Sequence, residues 1–450
     1  MKQFLVMTGP FGTKSGYGEH ARDIFYSLHD LDRFDIKLID TAWGDTPRDF
    51  LNSKDEKHQL ILNRIIRNPN NQITKQPDIY VDCRIPNEFE TPGKFNIGIT
   101  AGVETTSVSS KWIQDCNRMD LVIVPSEHSK KGFVDTKYDK MQNLPNGQQQ
   151  KVGELRLEKP MEVLFEGADE NIYKFIKHDK LETDISGLLD DIEEKYCFLF
   201  LGQWTQGGFG EDRKNISNLL KSFYEAFANQ KKQPALILKT NGAGHSIMDK
   251  ETILAKIEEV KKLFPKFVQL PKVYLLHGHL SNKEVNELYN HPKVKAMVSM
   301  THGEGFGRPL LEATMVGLPV IAPGWSGQLD FLDKNHSLLV GGELVDLPNS
   351  MVWEDVLIKE SKWFNPSNEE MSNLLSFAFK NPYDVRENAK KLMEINREKF
   401  THKKMTEKLG EIFDEHINIS KNVEVKLPEL TKKKTKIKLP KLQKLQTEKV

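Results

Sequence analysis

Short β-rich apolar runs alternate with amphipathic stretches along almost all of this 450-residue chain, and that alternation constrains the fold more than any other feature. The first half carries FLVMT (4–8), IKLID (36–40), DIYVD (78–82), FNIGIT (95–100) and DLVIVP (120–125), with helical polar stretches at 114–119 and 127–133. Residues 139–160 are polar, with Pro145, Gly147, three consecutive glutamines and Pro160, and they predict a surface loop. One more strand opens MEVLFEGADENIYKF (161–175). A second series starts at YCFLFLG (196–202) and runs through ALILKT (235–240), VYLLHG (273–278), KAMVSM (295–300) and PVIAPG (319–324). Helical patterns over 216–227, 250–263, 282–289 and 308–316 separate these strands. Such alternation makes parallel sheets with crossover helices, so the fold class is α/β.

A chain of this length exceeds one ordinary core. The interval around 170–195 separates the two series, which places one domain at 1–170 and a second at 171–400, followed by a C-terminal helix at 401–420 and a tail at 421–450. Helical spacing over 366–418 shows at Met371, Leu374, Leu375 and Phe379. Apolar residues make up 38% and charged residues 28%, the balance of a globular protein in water. No apolar run approaches the roughly 20 residues that cross a bilayer. The opening MKQFLVMTGPFG breaks at Gly9-Pro10 and reads as a first strand, not a signal peptide. Cys83, Cys116 and Cys197 lie far apart without CxxC spacing, which points to buried thiols in a cytoplasmic protein and to no metal centre. Net charge is zero but uneven: residues 421–450 hold ten lysines against three glutamates, leaving 54 basic and 61 acidic side chains before them. In that tail KLPEL (426–430) recurs as KLPKL (438–442), and its prolines forbid one continuous helix. The tail is expected to be disordered or semi-extended and to attract an anionic partner, a nucleic acid or a membrane surface.

The segment that carries chemistry is THGEGFGRPLLEATMVGLPVIAPG (301–324). Glu304 falls in a glycine-rich loop after a strand, and Glu312 lies in the second turn of the helix that follows. Gly303, Gly305 and Gly307 allow close backbone approach to a ligand, and the helix start offers free N–H groups to an anion. Open α/β sheets bind ligands at the carboxyl ends of their strands, where this loop sits.

EGFGRPLLEA, with the GLPVIAP and WSGQLDFL stretches after it, resembles the E-x7-E signature of the retaining GT-B glycosyltransferases, in particular family four. The resemblance implies two Rossmann-like domains facing across a cleft, C-terminal helices, and transfer of a sugar from a nucleotide diphosphate sugar with retention of configuration. It implies that Glu304 meets the donor sugar, that Glu312 takes the nucleotide ribose, and that Gly305, Phe306 and Gly307 lie beside the sugar and pyrophosphate. In GQWTQGGFGEDRKNISNLLKSF (202–223), Arg213 and Lys214 stand where the family keeps a basic pair for the departing diphosphate, although Gln203 occupies the place of its usual strand-end arginine. Lys239, ending the next strand, faces the same cleft in this reading. VYLLHGHLSNKEVNELY (273–289) resembles the strand, loop and helix that cradle the base.

GPFGTKSGYGEHARDI (9–24) has the wrong spacing for a dinucleotide fingerprint. The resemblance brings its Gly16 and Gly18 to the donor phosphate or sugar. NIGITAGVETTSVSSKWIQDCNRMDLVIVPSEHSKKGF (96–133) resembles a second landmark, but Gly102, Glu104 and Thr105 replace the histidine many members carry; Glu104 is the candidate for acceptor contact. FEGADENIYKF (165–175) looks like the family's hinge. Expected further are no cofactor beyond the donor, no metal, and a UDP- or GDP-sugar. Rival readings are a related epimerase or phosphorylase, or a nucleic-acid-associated protein using its tail, which extends to glycosylation of modified DNA.

Overall fold

The computed structural model describes residues 2–67, 73, 75–143, 148–242 and 246–417. The expected alternation builds a parallel first sheet from β1 (Gln3–Gly9), β2 (Phe34–Asp40), β3 (Ile79–Cys83), β4 (Phe95–Ile99), β5 (Leu121–Val124) and β8 (Met161–Val163), in the order β2-β1-β3-β4-β5-β8. Its crossovers carry α1 (Gly16–Asp30), α2 (Glu56–Leu62), α3 (Ser110–Cys116) and α4 (Glu127–Asp135). Serine side chains start three of these helices: Ser15, Ser109 and Ser126 accept backbone N–H bonds from Gly18, Trp112 and Ser129. Where the sequence predicts a loop at 139–160, the chain forms an antiparallel pair, β6 (Tyr138–Asn143) and β7 (Gln149–Leu155). Most of β7 is exposed, so this pair has no apolar alternation to announce it.

After α5 (Asp184–Asp190), the second sheet takes β9 (Cys197–Leu201), β10 (Ala235–Lys239), β11 (Val273–Leu276), β12 (Val294–Val298), β13 (Val320–Pro323) and β14 (Leu338–Val340). Its order is β11-β10-β9-β12-β13-β14, again parallel. Crossovers are α6 (Ile216–Phe227), α7 (Ile247–Lys261), α8 (Asn282–Asn290) and α9 (Arg308–Met315). An antiparallel pair, β15 (Gly342–Asp346) and β16 (Lys362–Pro366), precedes α10 (Asn368–Lys380), α11 (Pro382–Lys399) and α12 (His402–His416).

Two chain crossings run side by side between the halves. Ala168 N–H bonds Phe400 O at 2.9 Å and His402 N–H bonds Ala168 O at 2.8 Å. Beyond this crossing, α12 lies on α1, and its Met405, Leu409, Ile412 and Phe413 join the core formed by Leu5, Ile24, Phe25 and Leu28 of the first sheet. The last helix among the described residues therefore completes the first domain's core. No described helix is long and apolar enough to cross a membrane.

Candidate active site

Loops at the carboxyl ends of both sheets meet around a cleft of about 510 Å³. The segments after β1, β2 and β4 form one wall, and those after β9, β10, β11 and β12 form the other.

Glu304 is the electrostatic centre of this cleft. It is only 7% exposed, Lys214 Nζ donates to its Oε1 at 2.5 Å, and Arg213 Nη1 lies 3.4 Å from its Oε2. Arg213 also reaches Glu104 Oε1, from the opposite wall, at 3.2 Å. Burial alone raises the Glu304 carboxyl, but Lys214 and Arg213 outweigh it and hold the group below its ordinary range. Burial pulls Lys214 down; Arg213 ends higher because Glu104 and Glu304 more than offset its burial. The loop that presents the two cations is fixed from behind. His302 N–H and Thr301 Oγ1 both donate to Arg213 O, at 2.9 and 3.2 Å, and the His302 ring stacks on Trp363 at 4.0 Å. Asn215 turns the chain into α6 in the left-handed region, at φ 53°.

A second cluster lies at α9. Arg308 pairs with Glu312 Oε1 at 3.0 Å on its own helix, and with Asp23 and Glu19 on α1 across the cleft, the latter at 3.4 Å. Tyr289 donates to Glu312 Oε2 at 3.4 Å. Burial pushes Glu312 up to about 7 despite Arg308. Glu166, at the crossing between the halves, is pushed by burial up to about 8, and His20, 3.8 Å away, is pushed by burial down to about 3. Neither His20 ring nitrogen has a hydrogen-bond partner among the described residues.

The structure brings Gly16, Glu104, Arg213, Lys214, Lys239, Glu304, Gly305, Phe306, Gly307 and Glu312 to the cleft lining. Lys239 Nζ donates to Gly278 O at 2.6 Å, and burial lowers the ammonium to about 8. Gly18 and Gly303 are not brought to the lining. Gly18 is turned away from the cleft: a Cβ there would sit 2.5 Å from both Thr13 O and Thr13 Oγ1, so its smallness serves the β1–α1 turn. The Phe306 ring packs into the core against Phe331, centroids 5.0 Å apart, so its contribution to the cleft is chiefly backbone. Gly303 and Gly305 admit protein, not only ligand: a Cβ on Gly303 would lie 2.1 Å from Glu104 O, and one on Gly305 2.0 Å from Ala101 O. Ser126 Oγ donates to Gly305 O at 2.5 Å over the same contact. Gly307 is required differently, because it caps α9 at φ 96°, a conformation glycine adopts without strain.

Arg308, Asp23 and Glu166 were not anticipated, nor was the stacking of Tyr17 on Trp43; Glu19 and His20 read from the sequence as capping or solvent-facing residues at a helix start, whereas His20 is buried and Glu19 pairs with Arg308. For Arg308 a signal existed, since it stands four residues before Glu312 on the same helix face. A larger cleft of about 1250 Å³ adjoins the first along α1 and α12; it shares Arg308 and Glu19 but contains neither Glu304 nor Lys214. Two groups of side chains among the described residues come close enough to hold a metal ion, His178 with Asp190 and His291, and Glu162 with Glu415 and His416. None of these six lines the cleft.

Two facing parallel sheets with the site at their carboxyl ends and helices closing the C-terminus make this a GT-B fold. Within it, residues 208–359 match the family model of the glycosyl transferases group 1, and that stretch bears Arg213, Lys214, Lys239, Glu304 and Glu312. Among solved structures, the chain is similar to Anabaena HepE in complex with UDP and glucose, at TM-score 0.59 and 13% identity, over 92% of this chain and 100% of that one. It is similar to sucrose-phosphate synthase from Thermosynechococcus elongatus, at TM-score 0.60 and 13% identity, over 92% and 99%. It also resembles a UDP-forming α,α-trehalose-phosphate synthase from Burkholderia xenovorans, at TM-score 0.57 and 10% identity, over 91% and 98%. No curated protein matches the sequence.

Proposed function

We propose that this protein transfers a sugar from a nucleotide diphosphate sugar to an acceptor with retention of configuration and without a metal ion. The observation that carries the reading is the Lys214–Arg213–Glu304 cluster at the strand ends of the matched segment. Cleaving the glycosidic bond leaves negative charge on the nucleotide. Lys214 and Arg213, with Lys239 and the amino end of α9 nearby, are fixed positive groups that stabilise it as it forms. Glu304 orients these cations and meets the sugar hydroxyls. Glu312, held at about 7, accepts from or donates to the ribose.

Retention follows in this reading from attack on the face the diphosphate leaves, with the acceptor hydroxyl proton passing to the departing phosphate oxygen. Glu304, clamped between two cations, is a poor candidate for a covalent nucleophile. UDP is favoured over GDP as the donor nucleotide because the similar HepE structure is a complex with UDP and glucose.

A thermal-shift comparison with UDP and GDP tests the donor site, because a ligand bound only by the folded state raises Tm by mass action. UDP raises Tm in the wild type and not in Glu312→Ala, and Glu304→Ala abolishes turnover while remaining folded. The reading fails if neither nucleotide shifts Tm, or if Glu304→Ala transfers normally. Isomerised donor without an acceptor, or sugar phosphate formed from inorganic phosphate, would identify an epimerase or a phosphorylase. The tail at 421–450 lies outside the described residues; unchanged DNA binding after its deletion would remove the nucleic-acid reading.

A further inference from the structure

The wall facing the donor side carries a feature that the transfer chemistry leaves without a role. Tyr17, in the first turn of α1, stacks on Trp43, in the loop after β2, with ring centroids 4.0 Å apart and planes at 25°. Both rings are partly exposed and line the same cleft as Glu304 and Lys214. Tyr17 is locked in place: its hydroxyl bonds Thr100 Oγ1 at 2.8 Å and accepts the Ala101 N–H at 3.1 Å. That ties it to the segment that touches Gly305 and carries Glu104. The Trp43 loop is held as firmly, by Thr41 N–H to Gly9 O and Thr46 N–H to Trp43 O, each 3.0 Å, and by Arg48 to Asp40 Oδ2 at 2.5 Å. The Trp43 indole N–H has no hydrogen-bond partner among the described residues. A preorganised aromatic face with a spare donor, set in a cleft wall, is built for a ligand.

We propose that Tyr17 and Trp43 form the acceptor subsite and that the acceptor presents a pyranose ring, laid with its C–H face on the Trp43 indole. This rests on the transfer reading above. The π face is the negative side of an aromatic ring and attracts polarised C–H groups, while Thr46 on the same wall offers a hydroxyl partner. The cations of this wall are already engaged. Lys14 pairs with Asp49 at 3.3 Å, Arg48 with Asp40, and Arg22 donates to Phe11 O and Thr13 O at 2.8 Å while lying over Phe50. A neutral ring needs none of them, whereas a flipped base would bring phosphates that demand them.

Saturation-transfer NMR on the full chain, with methyl α- and β-glucosides, galactosides and mannosides, with and without UDP, tests the proposal. Thermal shifts with UDP and GDP are recorded on the same samples. At least one pyranoside binds; Trp43→Ala weakens it about tenfold, Trp43→Phe by less than about threefold, and a tenfold change corresponds to about 1.4 kcal/mol. The nucleotide shift is the same in all three proteins. Pyranoside binding that Trp43→Ala leaves intact overturns the proposal. So does absence of pyranoside binding where nucleotide still binds, or Trp43-dependent capture of a modified-base oligonucleotide in place of the sugars. Trp43-dependent sugar binding without any nucleotide shift supports the subsite and counts against the transfer reading.

Discussion

Replacing Lys214 by methionine separates the structural contribution of the charge cluster from the catalytic one proposed for it. In the wild type its ammonium lies 2.5 Å from Glu304, and the side chains are 13% and 9% exposed. Removing one partner of a buried pair typically costs about 3–5 kcal/mol, because the other charge is left in a medium that solvates it poorly. Arg213 stays within 3.4 Å of Glu304 but is shared with Glu104, so it compensates in part. The expected loss in Lys214→Met is therefore about 2–3 kcal/mol by urea unfolding. Turnover falls further, by about 10²–10³, the scale of losing one fixed donor to charge that develops in the transition state. The double variant Lys214→Met/Glu304→Gln leaves no carboxylate short of a cation, so stability recovers by about 1–2 kcal/mol while turnover stays low. Nucleoside diphosphate release from the donor found by thermal shift is the assay. Turnover by the single variant within about threefold of wild type, less than about 0.7 kcal/mol in barrier, would refute the reasoning. So would recovery of activity in the double variant.

Glu166 makes stability depend on pH. Held at about 8 in the fold against an ordinary 4.5, it keeps a proton that the unfolded chain releases, so stability falls as pH rises from 4.5 to 8 and then levels. Arg308 offsets part of the burial, while Asp23, Glu19 and Glu312 reinforce it. Glu166→Gln removes this slope, and its advantage over wild type grows to about 1–3 kcal/mol at pH 8 in urea unfolding; an advantage constant across pH contradicts the account. Gly305→Ala places a methyl group 2.0 Å from Ala101 O, so the walls must part, which small-angle scattering reads as a larger radius of gyration. An unchanged radius would show that the backbone absorbs the clash. Arg308→Met leaves Glu312, Asp23 and Glu19 facing one another without a cation and costs about 3–5 kcal/mol, measured as a fall in urea midpoint. A loss below about 1 kcal/mol would mean that these groups protonate in place.

The sheets were legible because strands buried on both faces read as unbroken apolar runs, and parallel order leaves room for a helix between each pair. The helix at 216–227 appears with the bounds its pattern predicts, since Ile216, Leu219, Leu220, Phe223 and Phe227 mark one buried face. The β6–β7 pair was illegible because residues such as Gln149, Gln150 and Lys151 are exposed and show no alternation. Glu304, Lys214 and Arg213 were legible as charges beside glycines at strand ends. What Gly303 and Gly305 accommodate was not, because their neighbours, Glu104 and Ala101, lie some 200 positions earlier in the sequence. Arg308 escaped notice for a related reason: two of its three carboxylate partners sit on α1.

The seat of α12 on α1 also sets an order of events during synthesis. The first sheet leaves the ribosome early, but Met405, Leu409, Ile412 and Phe413 follow some 240 residues after its last strand. At about 5–20 residues per second, α1 waits for its cover for about 12–50 s. For that interval the nascent first domain presents an apolar face to solvent and to chaperones. A chain cut short before residue 402 would never close it, so premature termination late in the message produces a sticky product rather than a slightly shorter protein.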